Sequence, residues 1–196
     1  MQLKVINPDT LTRIYNDHMV FDFPKEELKP LAILLQCQRE GTMIPYGLYN
    51  GDELMAYAIM LFAQPGDACI LDYLATVKAH RGTGAGSEML RKLQAELPDC
   101  AGIIIEYEFT DDDVDPDEKA MRLRREHFYL KNGVRKTRID LILFGVHFNV
   151  GFLPCARDVD DETLQQMQTA VYDSVNCWNY RFLPLLPETA ASGNTY

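Results

Sequence analysis

The sequence predicts an α/β fold, in which one mixed sheet of about seven strands is covered by helices. Two observations carry this prediction. Asn50-Gly51 separates two strand-like runs and indicates a hairpin, so the N-terminal part of the sheet is antiparallel. A glycine-rich turn then joins a strand to a helix, and the apolar run Ile103-Ile104-Ile105 follows that helix. This βαβ order makes the sheet parallel at that point.

Local signals place the other elements in order. Asn7-Pro8 predicts a helix start, and Asp115-Pro116 predicts another that reaches Lys131, because each pair offers a cap followed by proline. Apolar spacing predicts further helices at 30–40, after the glycine turn as far as Pro98, and at 161–175. The predicted strands are 44–49, 54–62, 68–77, 103–108, 138–144 and 147–153.

The composition is that of an ordinary globular chain, with 196 residues, 47% hydrophobic and 24% charged. We expect a single domain over 1–196, in which 156–196 form a C-terminal extension with one helix and a loose tail. The net charge of −10 disfavours nucleic acid and anionic membranes as partners. Five scattered cysteines without C-x-x-C spacing favour reduced thiols, a cytoplasmic protein and no metal site. The N-terminus shows no signal core, and no apolar stretch is long enough for a membrane span.

The glycine-rich turn is the first candidate site, with the sequence Arg81-Gly82-Thr83-Gly84-Ala85-Gly86. Glycines remove Cβ atoms where a ligand approaches, and the first N–H groups of the following helix favour an anion such as a pyrophosphate. The Walker A pattern fails because Ser87-Glu88 follows the turn. A Rossmann pattern is disfavoured, since Ser87 stands at its third glycine and hairpin strands precede the turn.

Two segments resemble motifs of the GNAT superfamily of N-acetyltransferases. The first runs Leu74-Ala75-Thr76-Val77-Lys78-Ala79-His80-Arg81-Gly82-Thr83-Gly84-Ala85-Gly86 and is similar to the family's L-x-V-x-x-x-x-[RQ]-x-x-G-x-[GA]. The second runs Phe128-Tyr129-Leu130-Lys131-Asn132-Gly133-Val134 and is similar to L-Y-x-x-x-G-F. The resemblance covers about residues 1–155 and implies a GNAT-like fold with acetyl-CoA as the donor. It leaves 156–196 unexplained.

The resemblance also implies the cofactor-binding residues. Three strand residues would lie along the pantetheine arm of the coenzyme. The N–H groups of the turn would bind its pyrophosphate, and a Cβ at Gly84 or Gly86 would intrude on that group. Tyr129 would protonate the departing thiolate, the alternative being a core aromatic. The family often has Asn seven residues before this tyrosine, where this chain has Arg122. The expected cofactor contacts are Leu74, Ala75, Thr76, Arg81, Gly82, Thr83, Gly84, Ala85, Gly86 and Ser87.

Carboxylates supply the candidate base and acceptor site. Glu106 and Glu108 share one face of a strand end, where α/β sheets bind ligands and like charges raise one pKa. We expect Glu106 to be the base, with Asp72 as a weaker candidate, and Glu108 and Asp22 to bind the acceptor. A pair of solvated acids is the alternative for Glu106 and Glu108.

Together these features predict transfer of an acetyl group from acetyl-CoA to a primary amine of a small cationic molecule, by direct attack in a ternary complex. The alternative function is a non-catalytic module that binds or senses acyl-CoA. A monomer and a homodimer both stay open.

Overall fold

The computed structural model describes residues 1–25, 27–63, 67–110, 114–176 and 180–186. Its strands are β1 (Gln2–Val5), β2 (Met43–Asn50), β3 (Glu53–Phe62), β4 (Cys69–Thr76), β5 (Gly102–Glu108), β6 (Arg135–Leu143), β7 (Val146–Pro154) and β8 (Tyr180–Phe182). They form one sheet in the order β1-β2-β3-β4-β5-β7-β6-β8. The predicted mixed sheet is confirmed, with eight strands rather than about seven. The acidic run 111–113 and the predicted tail lie outside the described residues.

Six α-helices accompany these strands in the described part of the chain. They are α1 (Pro8–Ile14), α2 (Val20–Asp22), α3 (Leu31–Glu40), α4 (Ala85–Glu96), α5 (Pro116–Lys131) and α6 (Asp161–Ser174), and a π-helical turn, Tyr15–Met19, joins α1 to α2. Both predicted caps are confirmed, because Asn7 accepts the N–H of Thr10 and Asp115 accepts two N–H groups of the first turn of α5. None of the described helices has the length and apolarity that a membrane span needs.

The helices cover both faces of the sheet because each contributes one apolar side. On the first face, Leu11 of α1, Leu34 of α3 and Leu164 of α6 are buried with strand residues such as Ile104. On the opposite face, helix α4 and the Tyr129 end of α5 are buried against other strand residues. Alternate residues of β5 therefore reach different helical layers, as the period of a strand requires.

The sheet opens between its two parallel strands. Strands β4 and β5 pair over three positions, the last of which joins Leu71 and Ile105, and then separate. Strand β3 continues to pair with β4, and β7 with β5, on their outer edges. A bulge marks this point, because Ile59 and Met60 of β3 face residues 73 and 71, so Asp72 is the extra residue of β4. We call the space between 72–76 and 106–108 the β4–β5 gap.

Candidate active site

The glycine turn leads from the β4–β5 gap into helix α4. Gly84 precedes the helix in the left-handed conformation, with φ of 88°, and a Cβ built there meets no atom within 4 Å. The N–H of Glu88 donates to the carbonyl oxygen of Gly84 at 3.0 Å. The amides of Ala85, Gly86 and Ser87 come before this bond and have no acceptor within the helix. They form a site for an anion at the positive end of the helix dipole.

Gly86 lies where an added side chain would meet other parts of the protein. A Cβ at this position would lie 3.2 Å from Oγ1 of Thr76 and 3.3 Å from the ring of Phe128. A side chain here would therefore press on protein atoms, and the expected intrusion on the pyrophosphate stays a prediction. The missing Cβ lets α4 pack closely against β4 and α5.

The surroundings of the turn fit the coenzyme that the resemblance implies. The edge of β4 that carries Leu74, Ala75 and Thr76 has no pairing with β5, so its backbone groups face the gap. Beside the turn lies a surface pocket between α4 and α5, lined by Gly84, Ser87, Glu88, Arg91, Gln94, Lys131 and Asn132. The unpaired edge of β4, the amides at the start of α4 and the pocket that contains Lys131 follow one another in this order. The arm, the pyrophosphate and the nucleotide of coenzyme A would bind to them in the same order. These individual contacts stay predictions.

Asp22 links α2 to the glycine turn. One carboxylate oxygen accepts a hydrogen bond from Nη2 of Arg81 at 2.7 Å, and the other accepts from the hydroxyl of Tyr57 at 2.8 Å. The side chain of Asp22 is only 9% exposed. Both oxygens thus have internal donors, and the carboxylate orients Arg81 beside the turn. The predicted role of Asp22 in binding the acceptor stays a prediction.

The two glutamates of β5 do not form the carboxylate pair that the sequence predicts. Glu108 is bound by the guanidinium of Arg125 on α5. Glu106 lies on the face that α6 covers, where its Oε1 accepts hydrogen bonds from Nε2 of Gln168, at 2.6 Å, and from the hydroxyl of Tyr172. The two carboxylates therefore have separate partners. The role of Glu108 in acceptor binding stays a prediction, and Arg125 is the counter-ion of this carboxylate.

Asp72 is the carboxylate that accompanies Glu106. Its Oδ1 accepts a hydrogen bond from Nζ of Lys29 at 2.6 Å. Its Oδ2 is buried and has no hydrogen-bond partner within the described part of the chain. A buried carboxylate oxygen without a donor is costly, so this atom marks a place that a ligand's N–H can fill.

The segment before α3 brings Lys29 to this place. The hydroxyl of Tyr73, on β4, donates to the carbonyl oxygen of Glu27 at 2.7 Å and accepts the N–H of Lys29 at 3.0 Å. The ring of Phe23 packs edge-on against Tyr73, with 4.8 Å between ring centroids. These contacts fasten the loop before α3 over the gap.

The charges in the gap oppose one another. Burial raises the pKa of Glu106; the hydrogen bonds from Tyr172 and Gln168 lower it, the charge of Asp72 raises it further and that of Lys29 lowers it. Burial lowers the pKa of Lys29. The charge and hydrogen bond of Asp72, together with the charges of Tyr73 and Glu106, raise it by more, so this pKa lies above its usual range. Lys29 is therefore an ammonium group, and Glu106 is a carboxyl that keeps its proton to higher pH than usual.

Tyr129 lies where α5 packs against β5, beside Tyr107. The side chain is 8% exposed, and its ring lies 5.7 Å from that of Tyr107. Burial raises the pKa of Tyr129 to about 12, with the charge of Arg125 lowering it and that of Glu108 raising it. The phenol therefore keeps its proton at neutral pH, as a general acid must. Its catalytic role stays a prediction.

Three residues of the site have no signal in the sequence analysis. They are Lys29, Gln168 and Tyr172, which lie far along the chain from the carboxylates they contact. An isolated lysine, or a glutamine on an amphipathic helix, carries no pattern that separates it from a surface residue. Tertiary packing alone brings these side chains together.

Comparisons with known proteins identify the family. The model of the Acetyltransferase (GNAT) family matches residues 9–131, so the chain belongs to this family. It is 34% identical over 107 residues to "Putative acetyltransferase YjbC" of Bacillus subtilis (strain 168). That alignment covers 54% of this chain, and the chain spans about half, 52%, of that relative.

Solved structures share the fold. A GNAT-family protein of Bacteroides thetaiotaomicron has a TM-score of 0.68 at 18% identity, covering 89% of this chain and 98% of that one. An aminoglycoside 6′-N-acetyltransferase, solved in complex with coenzyme A, has a TM-score of 0.62 at 15% identity, covering 82% and 100%. The predicted GNAT-like fold is confirmed.

Proposed function

We propose that this protein transfers an acetyl group from acetyl-CoA to a primary amine of a small cationic molecule. The observation that carries the proposal is the buried Oδ2 of Asp72, which has no hydrogen-bond partner among the described residues and lies beside Glu106 where β4 and β5 separate. Two carboxyl groups at this point can hold an ammonium group and remove its proton. Lys29 shows that an ammonium group fits against Asp72, since it occupies the other oxygen.

The chain's own residues divide the work of the reaction. The amides at the start of α4 would hold the pyrophosphate, and the free edge of β4 would hold the arm of the coenzyme. Bound acetyl-CoA would supply a thioester, whose C–S bond would break as the free amine forms the new C–N bond. Oδ2 of Asp72 would accept an N–H of the acceptor, and the carboxylate of Glu106 would take the proton that the ammonium must lose. The hydroxyl of Tyr129 would give its proton to the departing sulfur.

The net charge supports a cationic acceptor, and the cysteines support the expected location. The net charge of −10 favours the approach of cations. One protein of similar fold is an aminoglycoside 6′-N-acetyltransferase. The scattered cysteines support the expected cytoplasmic location, where acetyl-CoA is available.

The test mixes the protein with acetyl-CoA and a panel of amines and follows the release of free thiol. Diamines, aminosugars and lysine-like amines should react faster than acidic amino acids, and Asp72→Asn should raise the KM of the amine but not that of acetyl-CoA. Binding of acetyl-CoA in calorimetry without thiol release from any amine would favour the alternative, a module that binds acyl-CoA without catalysis. Faster reaction of acidic acceptors would contradict the proposed acceptor class.

A further inference from the structure

Helix α6 lies beyond the residues that the family model matches, yet it reaches the carboxyl group at the centre of the site. Leu164 and Val171 bury its apolar side on the same sheet face as Ile104. Gln168 and Tyr172, one turn apart, are 0% and 3% exposed. Two polar side chains buried this completely need a polar partner, and both direct their donors at one atom, Oε1 of Glu106.

The three groups form a closed hydrogen-bond triangle. Nε2 of Gln168 lies 2.6 Å from Oε1 of Glu106 and 3.1 Å from the hydroxyl oxygen of Tyr172, which itself contacts Oε1. An apolar helix face would cover the sheet equally well without these polar groups. Their convergence on one carboxylate oxygen indicates a role in orienting that carboxyl group.

We propose that Tyr172 and Gln168 are positioning residues, which hold Oε1 of Glu106 so that its second oxygen serves the acceptor. The C-terminal extension thus supplies part of the active site. The inference rests on the proposed function, in which Glu106 is the base.

The groups that change the proton affinity of Glu106 come from three parts of the chain packed around it. Strand β4 brings the negative charge of Asp72, and the loop before α3 brings the ammonium group of Lys29. Helix α6 brings Tyr172 and Gln168, which donate to the ionised carboxyl group and stabilise that form. Removal of either donor therefore favours the protonated form, and the effect has the same sign for both.

The experiment compares Tyr172→Phe and Gln168→Met with Ser174→Ala. Ser174 also lies on α6, but its hydroxyl contacts the carbonyl oxygens of Phe62 and Val171, so this control loosens the helix without touching Glu106. The readouts are the pH dependence of kcat/KM for the amine and the ¹³C NMR titration of the Glu106 carboxyl carbon, assigned with Glu106→Gln.

Each of the first two variants should move the acidic limb of the rate profile, and the NMR midpoint, upward by about one pH unit. Ser174→Ala should move neither. An unchanged NMR midpoint in both variants would overturn the inference, and so would a shifted NMR midpoint with an unchanged rate profile. If no amine is acetylated, the proposed function fails, whereas the NMR titration still decides whether α6 sets the proton affinity of Glu106.

Discussion

Lys29 and Asp72 carry opposite charges beside Glu106, so their removal should shift the activity profile in opposite directions. Lys29→Met keeps the aliphatic chain and removes the positive charge that lowers the pKa of Glu106. Asp72→Asn keeps the shape and removes the negative charge that raises it. The acidic limb of kcat/KM should therefore move to higher pH in Lys29→Met and to lower pH in Asp72→Asn.

The size of each shift follows from the charges involved. A unit charge within ~4–6 Å of a carboxyl group shifts its pKa by about 1–3 units. Lys29 is partly exposed, with 35% of its side chain accessible, so water screens its charge and the lower end of this range applies. Asp72 is better buried, at 14%, and should give the larger shift, of about 2 units.

The assay records thiol release across pH 5 to 9 with saturating acetyl-CoA and one amine, so that the titration of the amine is common to all variants. The double variant Lys29→Met/Asp72→Asn removes both charges and should bring the limb back toward that of the wild type. Shifts of equal sign in the two single variants, or none, would refute the reasoning. Loosening of the loop before α3 alters rates in one direction and does not produce opposite shifts.

Four further predictions follow from single contacts. Gly84→Ala should weaken acetyl-CoA binding about 5- to 30-fold in calorimetry, because holding an alanine in the left-handed conformation of the turn costs roughly 1–2 kcal/mol, whereas Gly51→Ala, at φ of 63° in the distant hairpin, should not weaken it. Tyr129→Phe should lower kcat about 10²–10⁴-fold with little change in acetyl-CoA affinity; full turnover would make the ring a core residue only. Asp22→Asn should weaken acetyl-CoA binding, because it releases Arg81 beside the turn, and a raised KM of the amine as well would support the acceptor role. The folded pKa of Glu106 lies above the unfolded one, so its stabilising contribution is present at low pH and lost as pH rises. The free energy of unfolding of Glu106→Gln, relative to the wild type, should accordingly be higher at pH 8 than at pH 4 in denaturant titrations.

The sequence by itself determined the elements that depend on near neighbours. The caps Asn7 and Asp115, the hairpin turn at Gly51 and the glycine turn before α4 act within a few residues, so their types and spacing were sufficient. Strands β1 and β8 were missed because they have four and three residues. Strands this short carry no periodic pattern and exist through pairing with β2 and β6.

The tertiary structure decided the partners of each charge. The period of two placed Glu106 and Glu108 on one face, but only packing sent Glu108 to Arg125 and brought Asp72 beside Glu106 across two parallel strands. A bulge turned Asp72 into the gap, and such a bulge depends on the register between β3 and β4. Contacts between residues distant in the chain are set by the burial of whole helices and strands. No local spacing encodes such contacts. The ion pair between Lys29 and Asp72 could therefore not be predicted from the sequence.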